Sequence, residues 1–261
     1  MMTEHGPFVL KRVENGVATL TLNRGDRFNP LSEEMLGALQ AEIDAVRDDA
    51  GIRLVVLAAA GKAFCAGHDL KQMRAAPSEA YYRKLFNQCS KLMLSVQQLP
   101  QPVVARVQGL ATAAGCQLVA MCDLAVASTE ATFAVSGVNY GLFCSTPSVA
   151  LSRNVSRKQA MEMLLTGEFI DAETARERGL VNRVVPPAQL DEEIGRLAAS
   201  ILAKPAVAIA MGKQLFYRQL DMGIGAAYQL AGQTMACNMM DADALEGVQA
   251  FIEKRAPGWK P

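Results

Sequence analysis

Two apolar-rich runs, Phe8–Val13 and Val17–Leu22, flank Glu14-Asn15-Gly16. An Asn-Gly pair between such runs accepts the positive φ angles of a tight turn, so the chain is expected to open with a β-hairpin. Ser32 then offers a helix cap, Glu33 and Glu34 suit the first turn, and Met35, Leu36, Leu39, Ile43 and Val46 fall on one face. This pattern predicts an amphipathic helix. Leu54-Val55-Val56-Leu57 is an unbroken apolar run bounded downstream by Gly61, as expected for a strand buried on both faces.

Further apolar runs at Pro102–Val107, Leu124–Ala127 and Leu180–Val185 alternate with helical patterns at Tyr81–Leu99, Ala113–Met121 and Lys158–Leu165. Alternation of this kind predicts an α/β architecture with buried, largely parallel strands. After Pro186-Pro187 the character changes. Leu190–Leu202, Val207–Leu220, Ala226–Met240 and Ala244–Arg255 all read as helices, with breaks at Pro205 and Gly223. Five of the thirteen methionines (211, 222, 235, 239 and 240) fall in the last 51 residues, where adaptable apolar side chains serve either a subunit contact or ordinary core filling.

At 261 residues, 51% hydrophobic and 20% charged, the chain can bury a sizeable core. Its 26 basic and 26 acidic residues balance without a run of like charge, which argues against nucleic acid or a membrane surface as the main partner. The six cysteines (65, 89, 116, 122, 144 and 237) lie in apolar segments without metal-like spacing, as expected of reduced thiols in a cytoplasmic compartment. Met1–Leu10 lacks the basic patch and apolar core of a signal peptide, and no run is long enough to predict a membrane span.

Two segments carry candidate chemistry. Lys62-Ala63-Phe64-Cys65-Ala66-Gly67-His68-Asp69-Leu70 follows the Leu54–Leu57 run, and small residues at Ala66 and Gly67 let a ligand approach the main chain. Gln108-Gly109-Leu110-Ala111-Thr112-Ala113-Ala114-Gly115-Cys116-Gln117 reads as a small-residue turn after a strand, opening a helix. Free amides at that helix start, at Ala114 or Gly115, can donate to a negatively charged oxygen; a tight helix–strand packing joint fits the same residues.

Together these segments resemble the enoyl-CoA hydratase/isomerase (crotonase) family. Supporting likenesses lie at Leu22-Asn23-Arg24, Asn29-Pro30-Leu31, Met161–Gly167, Ala175–Val181 and Phe251-Ile252-Glu253-Lys254-Arg255. The run Gly67–Leu70 with Gly109–Leu118 and Gly137–Pro147 is most similar to the subgroup named enoyl-CoA hydratase domain-containing protein 3. The resemblance implies a spiral of strand-strand-helix turns over residues 1–203, a helical module over 204–261 that forms a homotrimer or dimer of trimers, and a site for acyl-coenzyme A. Coenzyme A would be part of the substrate, and no metal or separate cofactor is implied. By position, the family's oxyanion hole falls on the backbone amides of His68 and Ala114. Arg27, Phe28, Ala66, Asp69, Leu70, Lys71, Gly115, Asn139 and Cys144 fall where substrate or coenzyme is bound, and Arg24 lies in the same N-terminal loop.

The two glutamates by which the family's hydratases activate water fall on Gln117 and Gly137. A carboxamide has no ionisable proton and glycine has no side chain, so fast hydration is not expected. Asp123 and Glu130 are the only acids between Gln108 and Arg153, and neither is placed for catalysis. Asp69 reads as a loop-holding residue. His68, one of two histidines with His5, has an imidazole able to titrate near neutral pH. Cys144-Ser145-Thr146-Pro147 lacks a further histidine, so Cys144 reads as a small buried hydrophobe. Three readings remain open: hydratase- or isomerase-like enolate chemistry, methylmalonyl-CoA-type decarboxylation, or acyl-CoA binding without turnover. Gly67-His68-Asp69 with Val138-Asn139 resembles the decarboxylases, although their substrate-side tyrosine falls on Cys144.

Overall fold

A computed structural model describes residues 6–75 and 77–259; His5 lies outside them. The opening hairpin pairs β1 (Val9–Glu14) antiparallel to β2 (Val17–Leu22), with Asn15 and Gly16 at φ +50° and +77°. Helix α1 (Glu33–Arg47) follows, and the Ser32 hydroxyl accepts from Met35 N at 3.2 Å. Strands β3 (Leu54–Ala59), β5 (Val103–Val107), β7 (Leu124–Ser128) and β10 (Arg183–Val185) extend the sheet in parallel, in the order β1-β2-β3-β5-β7-β10.

All six residues of β3 are buried because both faces of the sheet are covered. Val55, Leu57 and Ala59 join the main core with α1, whereas Leu54 and Val56 meet Leu190, Ile194, Leu197 and Ala198 of α8 (Leu190–Leu202).

A second sheet runs β4 (Ala63–Cys65), β6 (Leu110–Thr112), β8 (Thr132–Ala134) and β9 (Ile170–Asp171). The first three are parallel and β9 is antiparallel at the edge. Each long strand is thus followed by a short one before the next helix: α2 (Leu70–Ala75) and α3 (Glu79–Gln98) after β4, α4 (Ala114–Met121) after β6, and α5 (Ser145–Leu151) and α6 (Arg157–Thr166) after β8. This is the strand-strand-helix spiral. The expected strand at Leu180–Val185 begins only at Arg183. Leu180 instead bonds back to Ala175 O at the end of α7 (Ala172–Glu177), and the Asn182 side chain takes the Ala125 amide at 2.8 Å.

Beyond α8 the chain turns by 101° into α9 (Ala206–Gln219), then α10 (Ile224–Met239) and α11 (Ala242–Glu253). Pro205 and Gly223 stand at the expected breaks, as the N-caps of α9 and α10. Among these three helices only Ala250 is buried, and Met235, Met240, Phe251 and Ile252 are each more than 60% exposed. Within the single chain, core filling therefore does not account for Met235 and Met240. No single helix among the described residues is long and apolar enough to cross a membrane.

Candidate functional site

Parallel pairing of β4, β6 and β8 brings the loops beyond their carboxyl ends to one edge, the position where open α/β sheets bind ligands. That edge carries His68 in its loop, Ala114 and Gln117 in the first turn of α4, and Gly137 beyond β8. The two segments singled out above are zipped together by backbone. A Cβ on Gly109 would collide with Lys62 O, one on Gly115 with Cys65 O, and one on Gly67 would stand 3.0 Å from Ala113 Cβ and 3.3 Å from Ala114 N. Close approach, and not only turn geometry, demands glycine here. The helix–strand packing joint and the amide-bearing turn are the same structure.

Ala113 adopts φ +50°, ψ −120° at the N-cap of α4, a conformation that side chains resist. It is held by Ala113 N donating to Ala134 O at 3.0 Å and by Gln117 N donating to Ala113 O at 3.0 Å. Ala114 opens α4, so its amide has no intrahelical acceptor. Among the described residues, neither Ala114 N–H nor His68 N–H donates to a backbone carbonyl outside the regular elements.

The His68 side chain is held from two sides. Leu31 O accepts at 3.2 Å from Nδ1, which must carry the proton because a carbonyl cannot donate, and the Phe86 ring meets the imidazole edge-on at 5.5 Å. Nε2 is buried without a partner. Burial pushes the His68 pKa down from 6.5, only partly offset by the bond to Leu31, so the ring is neutral near pH 7.

Gln117 is 5% exposed with Oε1 unpartnered. Gly137 is more than an absent side chain, for a Cβ there would run into Leu142 O and stand 2.8 Å from Cys144 Sγ. The loop has closed over the space a glutamate would need. Gly137 N donates to Cys144 Sγ at 3.3 Å, and the Cys144 thiol is pushed up by burial, the opposite of an activated nucleophile. Cys116, beside Gln117, is raised to about 12 by burial.

Other nominated residues divide between exposed and committed ones. Asp69 Oδ1 accepts from Lys71 N at 2.9 Å and Gln72 N at 3.1 Å, capping α2, so it holds the loop. Leu70, Lys71, Arg27 and Phe28 are exposed beside it in the chain or on the N-terminal loop. Ala66 N is used by Phe28 O at 3.0 Å. The Asn139 side-chain amide donates to Gly167 O at 3.3 Å, tying its loop to the end of α6. Arg24 departs from expectation: its guanidinium is buried, donating to Pro7 O and Gly6 O and lying 3.8 Å over the Phe8 ring, so it is committed to the fold. Sequence reasoning missed Ser136, whose hydroxyl bonds Thr112 Oγ1 at 3.0 Å and joins the second loop to the third; three-residue strands left no periodicity to reveal it.

Comparison with known proteins gives the family and the fold. The enoyl-CoA hydratase/isomerase family model matches residues 12–261. The chain is 46% identical to the mitochondrial enoyl-CoA hydratase domain-containing protein 3 of Xenopus laevis, over 98% of this chain and 87% of that protein. A crystal structure described as enoyl-CoA hydratase from Mycobacterium smegmatis is 64% identical and superposes with a TM-score of 0.96, covering 97% of this chain and 99% of that one. The human enoyl Coenzyme A hydratase domain-containing protein 3 superposes at 0.94 with 44% identity, covering 97% and 100%. The chain belongs to the enoyl-CoA hydratase/isomerase family.

Proposed function

We propose that this protein binds acyl-coenzyme A thioesters and stabilises a thioester enolate with the backbone amides of His68 and Ala114, without fast hydration of enoyl substrates. One observation carries the reading: at the ends of paired parallel strands, two adjacent turns carry the amides of His68 and Ala114, neither of which serves a loop carbonyl. Each such donor is worth about 2.7–4 kcal/mol to a developing oxyanion. Arg27 and Lys71, exposed cations near the two loops, suit coenzyme phosphates, with Phe28 and Leu70 beside them as apolar surface. Ala66, Asp69 and Gly115 shape the entrance through backbone, and Asn139 and Cys144 line the acyl side. Coenzyme A arrives as part of the substrate. The exposed apolar faces of α9–α11 support a homotrimer or dimer of trimers, which light scattering tests.

Gln117 and Gly137 supply neither acid nor base, so water activation by two carboxylates has no counterpart here. The test is a mass-spectrometric screen of acyl-CoA thioesters on the wild type and Gln117→Glu. The wild type is expected to bind thioesters and leave crotonyl-CoA unhydrated, and Gln117→Glu to gain hydration. Wild-type hydration that Gln117→Glu does not improve would sink the account.

The same lack of carboxylates at 117 and 137 favours a second reading, decarboxylation of a malonyl-type thioester, because an anionic acyl substituent meets no like charge at either position. Release of carbon dioxide from methylmalonyl-CoA distinguishes it. Binding with no turnover anywhere in the panel would leave the protein as an acyl-CoA binder.

A further inference from the structure

The segment from Arg24 to Leu31 does more than border the site, for it is stitched to residues 60–68 along its length. Phe28 O accepts from Ala66 N at 3.0 Å, Leu31 N donates to Gly67 O at 2.8 Å, and Leu31 O accepts from His68 Nδ1 at 3.2 Å. Gly25 and Gly61 abut so closely that a Cβ on Gly61 would stand 2.8 Å from Gly25 Cα. At the centre of this seam sits Asn29, fully buried, at φ +51°.

Both polar atoms of its carboxamide are partnered. Oδ1 accepts from Arg24 N at 2.8 Å, while Nδ2 donates to Ala60 O at 2.8 Å and to Ala63 O at 2.9 Å. The site thus needs one acceptor and two donors on a short side chain tolerant of left-handed backbone. Asparagine meets all of these; aspartate has no donor and would face two carbonyls, and serine has one donor at most.

Ala60 and Ala63 flank the Gly61-Lys62 turn into β4, and β4 ends three residues before His68. We infer that Asn29 is a positioning residue: its carboxamide makes Arg24–Leu31 a splint that fixes strand β4 and thereby the direction of the His68 amide. The splint also carries Arg27 and Phe28, so a ligand gripped at that remote end is coupled to the strand through the Asn29 carboxamide together with the backbone bonds of Phe28 and Leu31. Binding energy far from the reacting atoms is in this way available to hold the reacting atoms in register.

The inference rests on the reading of His68 N–H as an oxyanion donor, and the experiment separates the two. Acetoacetyl-CoA is titrated to saturation into the full chain, and the absorbance of its enolate, which grows when the thioester oxygen is held by donors, is measured at saturation so that affinity does not enter. The wild type is expected to show the band, Asn29→Ser a weaker one, and Asn29→Gly, which keeps the left-handed backbone without strain, a loss of about tenfold or more. An Asn29→Gly protein with the wild-type band and only a lowered melting temperature would reduce Asn29 to a stabilising role and overturn the inference alone. Should Asn29→Gly not fold, Asn29→Ser with an undiminished band overturns it equally. A wild type that binds without a band fails the reading of His68 itself.

Discussion

Lys213 Nζ lies 2.6 Å from Asp123 Oδ2, with the two side chains only 7% and 15% exposed. The pair fastens α9 to the spiral. Asp123 also accepts from Val103 N at 2.6 Å and Tyr217 OH at 2.8 Å, and Lys213 donates to Val96 O and Gln101 O. Burial drives the Lys213 pKa down against the pull of Asp123, so the charge is tolerated only while its partner stays. Lys213→Ala should cost about 3–5 kcal/mol in urea unfolding, because it strands a buried carboxylate. Asp123→Asn with Lys213→Met, which removes both charges, should cost less than the two single changes summed.

Gly137 gives a steric prediction. Gly137→Ala should already lower the melting temperature, and Gly137→Glu should lower it further without creating hydratase activity, since Leu142 O and Cys144 Sγ occupy the path of the side chain. If Gly137→Glu is as stable as the wild type, the loop opens more readily than this packing allows.

Ala113 gives the opposite sign. At φ +50°, ψ −120° its Cβ is a liability, so Ala113→Gly should stabilise the chain by about 1 kcal/mol despite the flexibility glycine adds to the unfolded state. Denaturant midpoints of the two proteins decide it.

For His68 the folded pKa lies below the unfolded value of 6.5. The unfolded chain therefore takes up a proton that the folded one refuses, and stability falls as pH drops below about 6.5, until the folded pKa is reached. His68→Asn should lose this increment while keeping every carboxylate-linked effect, so its stability should fall less steeply from pH 7 to 5. Parallel slopes would show that the ring is solvated.

The only tryptophan reports on the carboxyl-terminal tail. Trp259 covers Gly247 of α11, where an added Cβ would meet the indole at 2.5 Å, and its Nε1 donates to Ala203 O at 3.3 Å. Glu246 binds Arg255 and the Gly258 amide, which hold its carboxyl at about 2. The stability that contact contributes is full above pH 4.5 and is lost as pH falls towards 2. Gly247→Ala or Glu246→Gln at neutral pH should red-shift Trp259 emission without unfolding the spiral.

Much of this was legible in local chemistry. Asn15-Gly16 announced its hairpin, Ser32 its cap, and Leu54–Leu57 a strand covered twice, because each depends on neighbours in sequence. The second sheet was not legible, since strands of two or three residues such as Ile170–Asp171 and Leu110–Thr112 carry no readable period. The amide-bearing turns at His68 and Ala114 were located through small residues and resemblance. The crowding at Gly137, the commitment of Arg24 and the partner of Asp123 were not, because each depends on atoms brought from a distant or folded-back stretch of chain.

The contact of Gly115 with Cys65 O bears on how such a protein changes its chemistry. The receptacle for the oxyanion, as proposed, is made of main chain interlocked across two strands and contains no side-chain atom. The side-chain positions 117 and 137, where the resemblance puts the hydratase glutamates, take no part in the contact of Gly115 with Cys65 O. On that proposal the reaction type is set at positions 117 and 137 with the receptacle kept, so shared family and fold do not by themselves name the reaction.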